Sequence, residues 1–160
     1  MLGTMLLAWV LAAPAKAGDR IERKPADGWV EILDIPEPDS AHADRIQDGK
    51  SYLLSDFQVR PVEGGWEMYD RLAYQLVDRT GLDEGARISF EFDPETETVA
   101  LNRLQIVRDG VPIDRLANAR IEIARREEDA ERGIFDGRLT AYINLEDVRV
   151  GDIIDSARTR

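Results

Sequence analysis

Short strand-like segments, separated by turn-forming pairs, recur from residue 50 onward and constrain the fold more than any other feature. Residues 88–92 alternate apolar and polar side chains with a period of two, which is typical of a strand with one buried face. The turn-forming pairs are Gly64-Gly65, Thr80-Gly81, Asp93-Pro94, Asp109-Gly110, Asp136-Gly137 and Gly151-Asp152. The predicted strands between them are residues 52–54, 57–59, 66–69, 72–77, 87–92, 99–107, 121–124, 140–145 and 153–157. The pattern predicts a mainly β fold, an antiparallel β-sandwich-like domain with little helix.

Two of the turns predict hairpins. Gly64-Gly65 stands between two strand-like runs, and Asp109-Gly110 suits a type I′ turn, in which both central residues have positive φ. Residues 125–132 have no apolar stripe, but the spacing of their Glu and Arg side chains supports one exposed helical turn.

The N-terminus differs from the rest of the chain. An apolar run over residues 6–13 is followed by Pro14 and the small-residue pattern Ala15-Lys16-Ala17. This is typical of a secretory signal peptide cleaved after Ala17, and the run is shorter than the roughly 18 to 20 residues that span a membrane. Residues 1–17 therefore predict export to the periplasm or cell envelope, with no membrane span after signal cleavage.

Residues 18–49 are predicted to form an irregular leader with one short strand. Pro25, Pro36 and Pro38 interrupt regular structure, and residues 29–33 are the one apolar run between them. We expect residues 50–160 to form a single β-sandwich-like domain, since 160 residues suit one ordinary domain.

The charge of the chain bears on its partners. The sequence has 32 acidic and 21 basic residues, for a formal net charge of −11 at pH 7. Nucleic acids and anionic lipids are bound by Lys and Arg that neutralise phosphates, so a field of this sign repels them.

The sequence offers little for nucleophilic catalysis. It contains no cysteine, and its one histidine, His42, lies in the polar leader two residues from Ser40, which is not in a G-x-S-x-G elbow. Chance pairs of carboxylates keep a glycosidase-like hydrolase open as a minor alternative. We predict no catalytic and no cofactor-binding residues.

Two clusters of side chains have a binding and a structural interpretation. Asp93, Glu95 and Glu97 could offer oxygen ligands to calcium, but the glycine of an EF-hand loop is missing, so we predict a solvated turn and no metal site. Trp66, Tyr69 and Tyr74 could form a platform for a ligand, but aromatic residues in strands more often pack in the core, which is our prediction.

Four segments together resemble a known family. They are residues 92–99, with the turn Asp93-Pro94; residues 107–110, ending in Arg108-Asp109-Gly110; residues 136–141; and residues 145–154. Over roughly residues 50–160 the chain resembles domain of unknown function 3857, the extracytoplasmic domain that precedes transglutaminase-like cores in bacterial envelope proteins. The resemblance implies a β-sandwich-like fold, an envelope location, and a role beside a downstream core with Cys, His and Asp. No catalytic residue can be transferred from that core, because this chain has no cysteine.

The preferred functional hypothesis is a non-catalytic accessory or binding module of an exported bacterial envelope protein. It would accompany a transglutaminase-like or protease-like domain, for example one in the same polypeptide, and contact a protein, peptide or cell-wall partner. The alternative is a free-standing structural or adhesive envelope protein that binds its partner through a sheet edge.

The last apolar run, residues 153–159, is followed by no closing turn. We therefore expect it to form an unpaired edge strand and the domain to be incomplete at its C-terminus.

Overall fold

The computed structural model describes residues 21–38, 46–125 and 137–160, in which the chain is mainly β, as predicted. The elements are β1 Ile21–Arg23, β2 Ile46–Gln47, β3 Lys50–Val62, β4 Gly65–Leu76, α1 Arg79–Gly85, β5 Arg87–Phe92, β6 Val99–Arg108, β7 Val111–Asp114, β8 Ile121–Arg125, β9 Leu139–Asn144 and β10 Ile153–Thr159. The predicted signal peptide lies outside the described residues. α1, the one helix within them, has seven residues and is too short to cross a membrane.

The strands form two sheets. Sheet A has the order β1-β6-β10-β4-β3-β2, with β7 also paired to β6, and sheet B has the order β5-β9-β8. Every pairing is antiparallel except that of β1 with β6, which is parallel. The predicted antiparallel sandwich is confirmed, with that one exception.

The core lies between the two sheets. Ile88, Phe90 and Phe92 on β5 are buried while their neighbours on that strand are exposed, as the alternation predicted. They belong to one apolar cluster with side chains from sheet A, among them Tyr74, Leu76, Leu104, Ile106 and Ile154.

Both predicted hairpins are present. Val62 pairs with Gly65, so β3 and β4 are joined by the two-residue turn Glu63-Gly64, in which Gly64 has a φ of 86°. Between β6 and β7, Asp109 and Gly110 have φ values of 51° and 77°. Positive φ at both central residues is what a type I′ turn requires.

Two local predictions are wrong. Residues 29–33 form no strand, and the described part of the leader instead contributes β1 and β2. Thr80-Gly81 is not a turn between strands but part of α1, because the side chain of Asp78 accepts a hydrogen bond from the backbone N–H of Gly81 (2.9 Å) and caps the helix. The predicted helical turn at residues 125–132 lies outside the described residues, apart from Arg125 at the end of β8.

β10 was expected to be an edge strand, and this expectation is wrong. The strand lies inside sheet A, between β4 and β6, and Ile154 pairs with Tyr74 on one side and Ile106 on the other. The side chain of Ile154 is fully buried. Sequence order placed this strand last, but its long-range partners placed it in the middle.

Candidate binding surface

The face of sheet A that points away from sheet B carries a buried charged cluster. The carboxylate of Asp155 is 0% exposed and accepts hydrogen bonds from Arg71 Nε (2.9 Å) and Nη2 (3.1 Å) and from Gln105 Nε2 (2.8 Å). Arg103 Nη1 lies 3.4 Å from the same carboxylate. A charge removed from water in this way is tolerated only when its hydrogen bonds are supplied by the protein, and here they are.

The protonation of this cluster follows from its geometry. Burial alone would lower the pKa of Arg71, but its hydrogen bond to Asp155 and the charge of that carboxylate raise the pKa above its usual value. Burial also raises the pKa of the neighbouring Tyr69. Arg71 therefore stays charged and Tyr69 neutral, an arrangement that holds the fold together.

The leader covers this cluster. Arg71 Nη1 donates to the backbone carbonyl of Leu33 (2.6 Å). The side-chain amide of Gln58 donates to the carbonyl of Glu31 (2.7 Å) and accepts from its N–H (3.0 Å). The guanidinium of Arg60 lies 4.9 Å from the centre of the Trp29 ring. Residues 29–33, which were predicted to form a strand, thus cover the charged cluster. Side chains of sheet A hold them in place instead of backbone hydrogen bonds between strands.

The opposite face of the β3–β4 hairpin is apolar and open near its turn. Phe57 is 59% exposed, Val59 45% and Trp66 66%, and we call these three residues the hairpin strip. Phe57 and Val59 alternate along β3, and Trp66 pairs with Pro61, so the three share one face. Farther along β4 the same face carries Tyr74 and Leu76, which are buried beneath sheet B.

A cavity adjoins the strip. It has a volume of about 720 Å³ and lies between the turn end of the hairpin and the residues that lead into β6. Its lining includes Trp66, Met68, Glu97, Thr98 and Arg160.

The structure divides the predicted aromatic cluster. Tyr69 and Tyr74 are 1% and 6% exposed, as predicted, but the prediction of Trp66 in the core is wrong. β3 and β4 have 13 and 12 residues, whereas β5 has six, so sheet B reaches only part of the hairpin. The runs predicted from the sequence for this part of the chain, residues 66–69, 72–77 and 87–92, have at most six residues each, so no difference in length indicated an uncovered end.

The acidic residues after β5 form a turn. Asp93 accepts a hydrogen bond from the N–H of Glu95 to its side chain (2.9 Å) and from the N–H of Glu97 to its carbonyl (2.8 Å). The first of these bonds is the main reason that the pKa of Asp93 lies below its usual value. Within residues 21–38, 46–125 and 137–160, no three acidic or imidazole side chains are arranged to hold a metal ion. The absence of a metal site stays a prediction, and Ser40 and His42 lie outside the described residues.

The last motif of the resemblance has a structural explanation. Asp152 is buried and accepts hydrogen bonds from Arg108 Nε (2.9 Å) and Nη2 (2.8 Å) and from the N–H of Arg149 (2.8 Å). Burial alone would raise the pKa of Asp152, but the bonds from Arg108 and Arg149 lower it overall. The motif therefore fixes the turn that leads into β10.

The fold has a counterpart among solved structures. A crystal structure of a putative protease from Parabacteroides distasonis superimposes with a TM-score of 0.61 and 12% sequence identity, covering 71% of this chain and 23% of that one. The likeness shows a shared fold, and the matched part is a small fraction of the other protein. No curated protein matches this chain.

A family match covers more than half of the sequence. Residues 63–160 match the family described as a domain of unknown function with a solved structure, DUF3857. The matched region begins in the hairpin turn and contains β4 to β10 together with α1. This chain therefore belongs to the DUF3857 family.

Proposed function

We propose that this chain is a non-catalytic binding module of an exported bacterial envelope protein, and that it accompanies a transglutaminase-like or protease-like domain. The module holds that domain, or a protein, peptide or cell-wall partner, against the open side of the β3–β4 hairpin.

The hairpin strip is the observation that carries this proposal. Large apolar side chains on the surface of a domain cost free energy when they stay in contact with water, and aromatic residues dominate the energetics of protein interfaces. Here Phe57, Val59 and Trp66 lie together on one face and continue the surface that sheet B covers elsewhere. A second protein surface packed there would extend the core.

The buried polar groups support a binding role over a catalytic one. Asp155, Arg71 and Asp152 are the charged side chains buried most deeply in the described part of the chain, and each is engaged in ion pairs and hydrogen bonds that hold strands or turns in place. The sequence has no cysteine to serve as a nucleophile.

Two further observations support the proposal of a neighbouring transglutaminase-like or protease-like domain. The matched solved structure is a much longer chain, of which this fold is about a quarter. The family resemblance of the sequence points in the same direction, toward a transglutaminase-like core. Export rests on residues 1–17, and N-terminal sequencing of the periplasmic protein should begin at Gly18.

Site-specific photocrosslinking in the host cell tests the proposal. A photoreactive amino acid at position 57 should crosslink to a polypeptide segment with a transglutaminase-like or protease-like domain, identified by mass spectrometry. The same group at position 122, on an exposed site of sheet B, is the matched control. Equal products at both positions, or products without such a domain, contradict the proposal.

A second candidate is a free-standing structural or adhesive protein that binds through a sheet edge. The exposure of Ile46 on β2, the edge strand of sheet A, favours it. Crosslinks from position 46 that exceed those from position 57 would support this candidate instead.

A further inference from the structure

The face of sheet A that points away from sheet B, here called the outer face, holds the leader by its backbone. The side-chain amide of Gln58 pairs with both the N–H and the carbonyl of Glu31, and Arg71 Nη1 donates to the carbonyl of Leu33. Every peptide carries these main-chain groups, whatever its side chains. The two contacts therefore recognise a peptide backbone and do not select the leader's own sequence.

The side chains that contact the leader are themselves held by carboxylates of sheet A. The three pairs are Gln58 with Asp56, Arg60 with Glu67 and Arg71 with Asp155. No member of these pairs belongs to the leader, so their geometry is set within the sheet. Groups that are already oriented lose little conformational freedom when a ligand binds, which favours affinity.

The leader itself fits this face incompletely. Residues 31–38 contain no turn or bend, so the chain is extended there, and Ile32 and Leu33 are 50% and 39% exposed. The indole N–H of Trp29 is buried without a hydrogen-bond partner among the described residues, and such groups are rare in folded proteins. Within the same part of the chain, no backbone–backbone hydrogen bond joins residues 25–38 to a strand. We therefore expect the leader to be displaced more easily than any strand of the sheet.

The surface beneath the leader tolerates exposure to water. It carries the three pairs together with Arg103 and Gln105, which contact Asp155. Charged and amide groups are hydrated when they are uncovered, and a buried ion pair often contributes less stability than apolar side chains of the same volume. The leader also stays attached when it lifts, because β1 pairs with β6 and β2 pairs with β3.

We propose that the outer face of sheet A binds an extended segment of another protein, and that leader residues 29–33 occupy this site until that segment replaces them. The segment carries an aromatic residue two positions before the residue that Gln58 binds, as Trp29 stands two positions before Glu31 and packs against Arg60. Main-chain hydrogen bonds supply its affinity. The site lies on the face opposite the hairpin strip, so the inference does not rest on the proposed function.

A blocked synthetic peptide with the sequence of residues 27–35, Asp-Gly-Trp-Val-Glu-Ile-Leu-Asp-Ile, is the probe. It is added to the isotope-labelled chain without residues 1–17, as export would leave it. At saturating peptide the Glu31 amide should exchange about tenfold faster or more, because the leader is displaced, whereas the Ile154 amide in β10 should not change. Nuclear Overhauser effects between the ring of the peptide and Arg60 should place the peptide on the outer face.

Two modified peptides test recognition of the backbone. N-methylation at the position of Glu31 removes the N–H that Gln58 accepts and should weaken binding by about tenfold. N-methylation one position later, at that of Ile32, is the matched control, because the N–H of Ile32 makes no hydrogen bond within the described residues. The control peptide should bind like the unmodified one.

A variant of the leader tests competition between leader and peptide. Trp29→Ala removes the ring from the leader but not from the peptide, so the apparent affinity for the peptide should rise by about tenfold. Ile32→Ala, at an exposed position of the leader, is the control and should leave that affinity unchanged. Circular dichroism first shows that both variants are folded. A leader with a purely structural role would give no gain in affinity.

Several outcomes would overturn the inference. It fails if the Glu31 amide exchanges no faster than the Ile154 amide with or without peptide, since the leader then leaves only when the domain unfolds. It also fails if both N-methylated peptides bind equally, or if Trp29→Ala does not raise the affinity. Dimers with exchanged leaders, detected by light scattering, would make a second copy of the chain the occupant instead.

The crosslinking experiment at position 57 is independent of these measurements. If the peptide binds as described but position 57 gives no crosslink to the expected domain, the outer-face site stands and the proposed function fails. If the crosslink forms but the peptide does not displace the leader, this inference fails alone.

Discussion

On the outer face of sheet A, Arg71 and Asp155 are charged yet only 3% and 0% exposed, whereas on the opposite face Phe57 and Trp66 are apolar yet 59% and 66% exposed. The leader covers the first pair and supplies a carbonyl to Arg71, but sheet B does not reach the second pair. Polarity alone would predict that the two charged side chains lie at the surface and the two aromatic side chains lie in the core. The difference shows that in this domain the covering segment decides which side chains are buried.

Breaking the ion pair between Arg71 and Asp155 on the outer face should lower the free energy of unfolding the most. Arg71→Met leaves Asp155 buried without its bidentate partner, and we expect a loss of about 3–5 kcal/mol in the free energy of unfolding, measured by urea denaturation. Arg103→Met is the control, because Arg103 is partly exposed and lies 3.4 Å from Asp155; its loss should stay below about 1 kcal/mol. Equal losses would mean that the bidentate geometry does not determine stability here.

Weakening the attachment of the leader should lower the free energy of unfolding by an intermediate amount. Gln58→Ala removes both hydrogen bonds to Glu31 and the one that Gln58 donates to the carboxylate of Asp56 (2.9 Å). We expect a loss of about 1–2 kcal/mol in the free energy of unfolding, together with faster exchange of the Glu31 amide. Gln75→Ala removes a single exposed bond to Gly151 and should cost about 0.5 kcal/mol or less. If the Glu31 amide exchanges at the same rate in the Gln58 variant, the leader is held by other contacts.

The hairpin strip should have the smallest effect on stability. Phe57→Ser should change the free energy of unfolding by about 0.5 kcal/mol or less, because the ring is already mostly in water. Leu76→Ala, on the neighbouring strand beneath sheet B, should cost about 2–5 kcal/mol in the same assay. A large loss from Phe57→Ser would show that another part of the chain covers the strip, and the comparison between the two faces would break down.

Much of the fold was predictable because strands and tight turns depend on neighbouring residues. The alternation at residues 88–92 and the Asp109-Gly110 turn rest on side-chain period and backbone φ, which a short segment determines. The helix α1 was missed although its cap is local: Asp78 stands three residues before Gly81, and the glycine was interpreted as a turn instead.

The candidate site was less predictable. The alternation along β3 places Phe57 and Val59 on one face, but it does not show how far sheet B extends over that face. Trp66 was expected in the core on the basis of residue type, and its exposure follows from the length of a hairpin relative to a strand 21 residues later in the chain.

By itself, the sequence determined where most of the strands and the main turns lie, that the chain is acidic, and that it has no cysteine. Only the tertiary structure decided that β10 is central, that Arg71 and Asp155 are sealed under the leader, and that the hairpin strip stays open. The physical reason is the range of the interactions. Turn geometry and side-chain alternation are set within a few residues, whereas burial and strand order depend on partners as distant as Arg71 and Asp155, 84 positions apart.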